Sequence, residues 1–254
     1  MGRQQLAGFH RRRGRNPYRR RIHQRLRETK MRTIFFAAAL LGLAACNAPQ
    51  TKAPEGPPTP VAVDAPSGQY ALDPTHTSVL VRARHFGLSN YTLRLANVSG
   101  ALDFNAEDPI KSSVTASIGA DSVQTEYVGQ RDFDDELENS EWLDAARHPS
   151  LEFRSTAIEL TSANTGRMAG DLTIRGITHP AIFDVTFNQG YRQHPMGFPM
   201  ALLGFSARGT VKRSDYGMRV LLPLNPGGAG VADEVDVIIE AEFTQPVAPA
   251  APAN

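Results

Sequence analysis

From Gly170 to Phe187 the chain reads GDLTIRGITHPAIFDVTF, two apolar-polar alternations joined by a turn. That period of two constrains the fold more than any other feature. In the first arm Leu172 and Ile174 alternate with Asp171, Thr173 and Arg175, and in the second Phe183, Val185 and Phe187 alternate with Asp184 and Thr186. Successive side chains of a strand point to opposite faces, so each arm has one apolar and one wet face. Residues Gly176 to Pro180 form the expected bend: Gly176 supplies backbone freedom, and Pro180, which has no N–H for a ladder, belongs at the strand entrance.

The same alternation recurs along the chain. YALD and TSVLVRARHF give two strands separated by Pro74; Tyr91 to Phe104 follows, with Gly100 as the expected bulge. Ser112 to Ile118, Leu151 to Ile158, Leu203 to Val211 and Val235 to Phe243 continue the series. Between Ala120 and Pro149 the pattern breaks into an acid-rich stretch with irregular apolar residues at Phe133, Leu137, Trp142 and Leu143, which reads as short helices over one end of the sheet. Some eight strands sharing one apolar face predict an all-β, single antiparallel barrel, closed so that no edge is left exposed. A barrel of this size is filled by its own side chains or holds one small ligand.

Charge is segregated. Of 27 basic residues, eleven lie in residues 1–30 and a twelfth is Arg32, while only Glu28 of the 26 acids precedes Cys46. From Cys46 onward the chain therefore holds 15 basic and 25 acidic residues, a net charge of −10. An acidic body repels phosphate backbones, which argues against nucleic acid as a partner of the folded domain. The basic run at residues 1–30 is set apart as an arm outside the mature protein, because MRTIFFAAALLGLAAC starts afresh at Met31 with the layout of a secretory signal. Its apolar run is too short to span a bilayer. Leu43, Ala44, Ala45 and Cys46 match a bacterial lipobox, and Cys46 is the chain's only cysteine, so no intrachain disulfide exists and acylation gives the thiol a role. Residues 31–45 are then a lipoprotein signal, and Asn47 favours the outer membrane. Residues 46–67, crowded with proline and alanine, read as a tether that extends up to about 60 Å at polyproline spacing. The barrel spans 68–245, and 246–254 reads as a disordered tail.

The segments YALDPTHTSV at Tyr70, His85, SVQT at Ser122, RD at Arg131, HPSLEFRST at His148, GDLTIRGITHP at Gly170, ARGTVKRSDYGM at Ala207 and VADEVDVIIEAEF at Val231 together resemble the YceI-like family, in its order and over about residues 68–245. The resemblance implies an extended lipocalin-like eight-stranded barrel, exported to the periplasm, with a polyisoprenoid of the quinone or prenyl phosphate class in a hydrophobic pore. It departs from the family near Arg131, where Glu136 and Leu137 stand in place of a histidine-leucine pair. That departure bears on lipid access at that end.

Phe86, Leu88, Phe104, Phe153, Phe183, Val185, Phe187 and Phe205 are the candidates for a ligand channel, or else fill the core. At family-matching positions stand His76, His85, Arg131 with Asp132, and Arg213 with Asp215; the arginines suit a headgroup through their planar fork, or fasten loops at the rim. Metal and cofactor signals are weak: the seven histidines are scattered and no HExxH occurs. No GxSxG elbow accompanies a serine. A lipid carrier leads over two rivals, an enzyme using His76 or His85 with Asp73 and a structural envelope protein with a filled barrel. Monomer and dimer stay open.

Overall fold

The computed structural model describes Gly56, residues 58–225 and residues 227–247. The basic arm, the signal, Cys46 and the tail beyond Val247 lie outside the described residues. Among the described residues eleven strands are present: β1 Gly68–Leu72, β2 Ser78–His85, β3 Ser89–Leu95, β4 Val98–Phe104, β5 Ser113–Gly119, β6 Val123–Thr125, β7 Ser150–Leu160, β8 Thr165–Ile174, β9 Ile177–Tyr191, β10 Met200–Lys212 and β11 Val231–Pro246. Neighbours run β1-β4-β5-β7-β8-β9-β10-β11, and β11 pairs back onto β1, closing an eight-stranded antiparallel barrel.

The three remaining strands lengthen the same wall. Phe243 and Thr244 of β11 pair with β1, whereas Val231 to Glu240 pair with β2, so β1 and β2 lie end to end along one neighbour. Proline explains the break between them, since Pro74 cannot continue a ladder. β3 and β4 form a second broken strand, interrupted at Ala96–Asn97, where the Asn97 carbonyl accepts the Gly119 N–H instead. The interruption was expected as a bulge at Gly100. That residue instead sits in regular register opposite Ala116, where a Cβ would lie 2.7 Å from the Thr115 carbonyl oxygen, so glycine serves close backbone approach.

The β8–β9 turn is also tighter than the sequence predicts. Only Arg175 and Gly176 form it, with φ of 53° and 70°, the two positive values of a type I′ hairpin, and Ile174 faces Ile177 directly. Pro180 lies inside β9 opposite Asp171. Pairs alternate between hydrogen-bonded and open outward from such a turn, which makes Asp171–Pro180 an open pair whose nitrogen points away from β8. On that side β10 joins β9 only from Phe183 onward, so the missing N–H leaves no partner unmet.

Among the described residues one α-helix, α1 (Phe133–Glu138), covers one barrel end, with turns completing the cap expected as several helices. Asp132 caps α1 by accepting from the Asp135 N–H at 3.0 Å, and acids at Asp134 to Glu136 complement the helix N-terminus. Leu137 is buried, and Trp142 and Leu143 pack beside it onto the core. The Arg175 guanidinium fastens the following turn by donating to the carbonyls of Ser140 and Trp142.

Residues 58–66, expected as the end of a free tether, lie against the barrel. Ala65 is only 2% exposed and packs with Tyr70, Ala201 and Leu203. Val61, Val63 and Ala65 repeat the period of two inside a proline-rich run, which composition alone conceals.

Candidate ligand cavity

The inward faces of the strands enclose a cavity of about 390 Å³. It runs from Trp142, Met218 and Val231 at the α1 end to Pro60, Val61, Ala163 and Thr165 at the opposite end, between walls that are almost entirely apolar. Phe183, Val185 and Phe187 of β9, Phe205 of β10, Phe104 of β4 and Phe153 of β7 all line it. Alternation places them there.

Two glycines help keep the lumen open. The Phe153 ring covers Gly170, where a Cβ would approach its Cζ to 2.3 Å, and the Phe183 ring covers Gly209, where a Cβ would lie 2.7 Å from Cδ1. With no side chain beneath them, the rings rest against the wall. They meet edge to face at 5.3 Å, while Phe205 makes similar contacts with Phe187 at 5.6 Å and Phe243 at 6.0 Å.

Other candidates lie elsewhere. Phe86 and Leu88 occupy the tip of the β2–β3 hairpin, with Phe86 and Gly87 at positive φ, and are 41% and 85% exposed. Off the inward face, Phe86 packs edge-on against His85 at 4.6 Å rather than lining the cavity. Arg131 sits outside the cavity too, over the Tyr127 and Phe133 rings and 3.0 Å from Glu136; its expected neighbour Asp132 is the helix cap.

Arg213 does reach the cavity wall and is 4% exposed, yet its donors go to the carbonyls of Ala232, Met218, Val220 and Val231. Its expected partner Asp215 makes no ion pair with it; the nearby carboxylate is Asp233, which accepts from the Ser214 N–H and hydroxyl. Burial lowers the Arg213 pKa and Asp233 opposes the shift. The residue fastens the loop after β10 to the start of β11.

His76 stands on the outer face with Asp73, Nδ1 2.8 Å from Oδ2, and Glu242 nearby at 3.9 Å. Among the described residues these three form the one group with metal-ligand spacing. Asp73 already accepts from the Thr75 N–H and hydroxyl, and these bonds, the hydroxyl's first, hold its pKa down at about 2. The hydrogen bond to Asp73 in turn raises His76. Neither residue lines the cavity.

The model of the YceI-like domain matches residues 70–243. The chain belongs to the YceI-like domain family. A UPF0312 protein of Pseudomonas syringae pv. tomato is 28% identical over 178 residues, covering 69% of this chain and 87% of that protein. A UPF0312 protein of Pseudomonas putida W619 is 27% identical over 207 residues, covering 81% and 95%. Among solved structures, BcnA of Burkholderia cenocepacia aligns with a TM-score of 0.55 at 21% identity over 67% of this chain and 98% of its own. The Campylobacter jejuni YCEI protein aligns at 0.53, with 24% identity over 63% and 88%. These structures share the fold. The YceI-like match begins at Tyr70, so residues 58–66 lie just ahead of the matched barrel.

Sequence reasoning singled out aromatics with Val185 and overlooked the rest of the aliphatic wall. Leu72, Val79, Leu95, Ile118, Ile158 and Leu160 line the cavity as well, on the same alternation.

Proposed function

We propose that this protein carries a single long-chain amphiphile of the polyisoprenoid class, a quinone or prenyl phosphate, with its tail inside the barrel. The apolar 390 Å³ cavity carries this reading. An unfilled apolar cavity costs about 24 cal/mol per Å³, or about 9 kcal/mol at this volume, comparable to the whole stability of a domain. A bound tail offsets that cost. Cavities of ~150 Å³ hold a benzene ring, which scales to roughly 15 carbons here, or about three isoprene units.

We place the carrier in the bacterial periplasm, anchored through an acylated Cys46 and at the outer membrane, on the strength of the lipobox and Asn47. Solvent extraction and mass spectrometry of protein purified from its native host test the function. A prenyl lipid is expected at near-stoichiometric amount; no co-purifying lipid and no binding on titration would leave a structural barrel instead.

A further inference from the structure

The two barrel ends are closed by different means. At the α1 end the cap is knit by Arg175 and Arg213, which bond seven carbonyls between them, at Ser140, Glu141, Trp142, Met218, Val220, Val231 and Ala232. At the other end the cover is the strap of residues 58–66. Its attachment is graded along its length. Nearest the barrel it is fixed: the Tyr70 hydroxyl donates to the Pro66 carbonyl at 2.7 Å, and Ala65 is buried. The chain bends at Asp64–Ala65. Beyond that bend, Val61 N–H donates to the Ala163 carbonyl at 2.7 Å, and Asp64 meets Arg192 in an exposed ion pair at 3.3 Å. Val63 rests in a seat that exists because Gly190 has no Cβ, which would lie 2.8 Å from Val63 Cγ1.

We infer that residues 58–64 are a hinged gate, opening at Asp64–Ala65, through which the amphiphile enters and leaves. This rests on the carrier reading. Opening there breaks one strap-to-barrel backbone hydrogen bond and a solvent-screened ion pair, whereas opening the wall breaks a ladder and opening the α1 end breaks the guanidinium bonds of Arg175 and Arg213 to the cap. Polar residues join the lining at the same end: Ser112 and Ser113 at the start of β5, and Asn164 and Thr165 at the β7–β8 turn. A headgroup is accommodated there while the tail runs toward Trp142. Only eleven residues lie between Cys46 and Pro58, so an acylated Cys46 holds the gated end toward the bilayer that supplies the ligand.

A redox-locked strap tests the gate. The Val61 N–H reaches the Ala163 carbonyl at 2.7 Å, which makes the two residues close neighbours, so Val61→Cys with Ala163→Cys in a Cys46→Ser background should crosslink the gate shut. Exchange of a fluorescent C15 prenyl phosphate is followed by displacement with excess unlabelled ligand. Oxidation should stop exchange and reduction restore it, and Val63→Ser, which empties the Gly190 seat, should speed release by about tenfold. Binding with identical exchange rates in the oxidised, reduced and Val63→Ser proteins overturns the gate and leaves the carrier standing. No binding in any of them overturns the carrier, and the gate with it.

Discussion

Val185→Trp converts the cavity volume into a measurable length. Val185 faces the lumen between Gly166 of β8 and Ala207 of β10, two small neighbours that leave an indole free to swing inward rather than clash. Tryptophan adds about seven heavy atoms, and at roughly 25 Å³ per carbon it removes about 175 Å³, nearly half the space. In the native protein, affinity along a series of prenyl phosphates should rise with each isoprene unit and level off near 15 carbons. Each buried methylene contributes about 0.8 kcal/mol, so a C15 tail gains about 12 kcal/mol before ordering costs. In the variant the plateau should move to about eight carbons, with C15 binding weakened by about 5 kcal/mol, more than a thousandfold. Isothermal titration across the series gives both plateaus. The same plateau in both proteins would refute the volume argument. A packed core would respond differently, losing about 1–3 kcal/mol of stability to overpacking, with a lower Tm and no ligand-dependent change.

Three further outcomes are expected. Cys46→Ser should release the protein from membranes as a soluble periplasmic species on fractionation; persistence with the membrane would mean that the anchor lies elsewhere. Arg213→Met strands four carbonyls and should cost about 3 kcal/mol, a Tm drop of about 6–12 °C, with C15 affinity little changed; lost binding at unchanged Tm would instead make Arg213 a headgroup contact. Asp73 titrates at about 2 in the fold against 3.8 outside it, so its contribution is present above pH 3.8 and fades as pH falls toward 2. Thermal melts should show native protein and Asp73→Asn converging across that window, and a constant gap would refute the assignment.

The barrel was legible because its signal is local. Period two assigns each of Phe183, Val185, Phe187, Phe205 and Phe153 to the inner face without knowledge of any partner strand, and all five line the cavity. Charged residues were read less well, since their roles depend on what the fold brings near. Arg213 carries no local sign that carbonyls of the following loop and of the start of β11 will surround it. The hairpin tip misled for a related reason. Phe86 and Leu88 are apolar, yet the positive φ at Phe86 and Gly87 ends the strand and with it the rule that assigns faces.

Whether the barrel is hollow is set by volume, which alternation does not encode. An inward phenylalanine fills a lumen when its ring points along the radius and lines it when the ring lies against the wall. Gly170 and Gly209 select the second arrangement by removing the Cβ atoms that would lift Phe153 and Phe183 inward. Valine at Val185, Val235 and Val237, rather than a longer side chain, leaves the lumen between these rings unfilled. Small residues beneath aromatic ones, on opposed strands, are therefore the sequence correlate of a cavity. Their spacing becomes visible only after the register is known: Gly209 faces Phe183 directly, while Gly170 lies diagonal to Phe153, whose direct partner is Leu172.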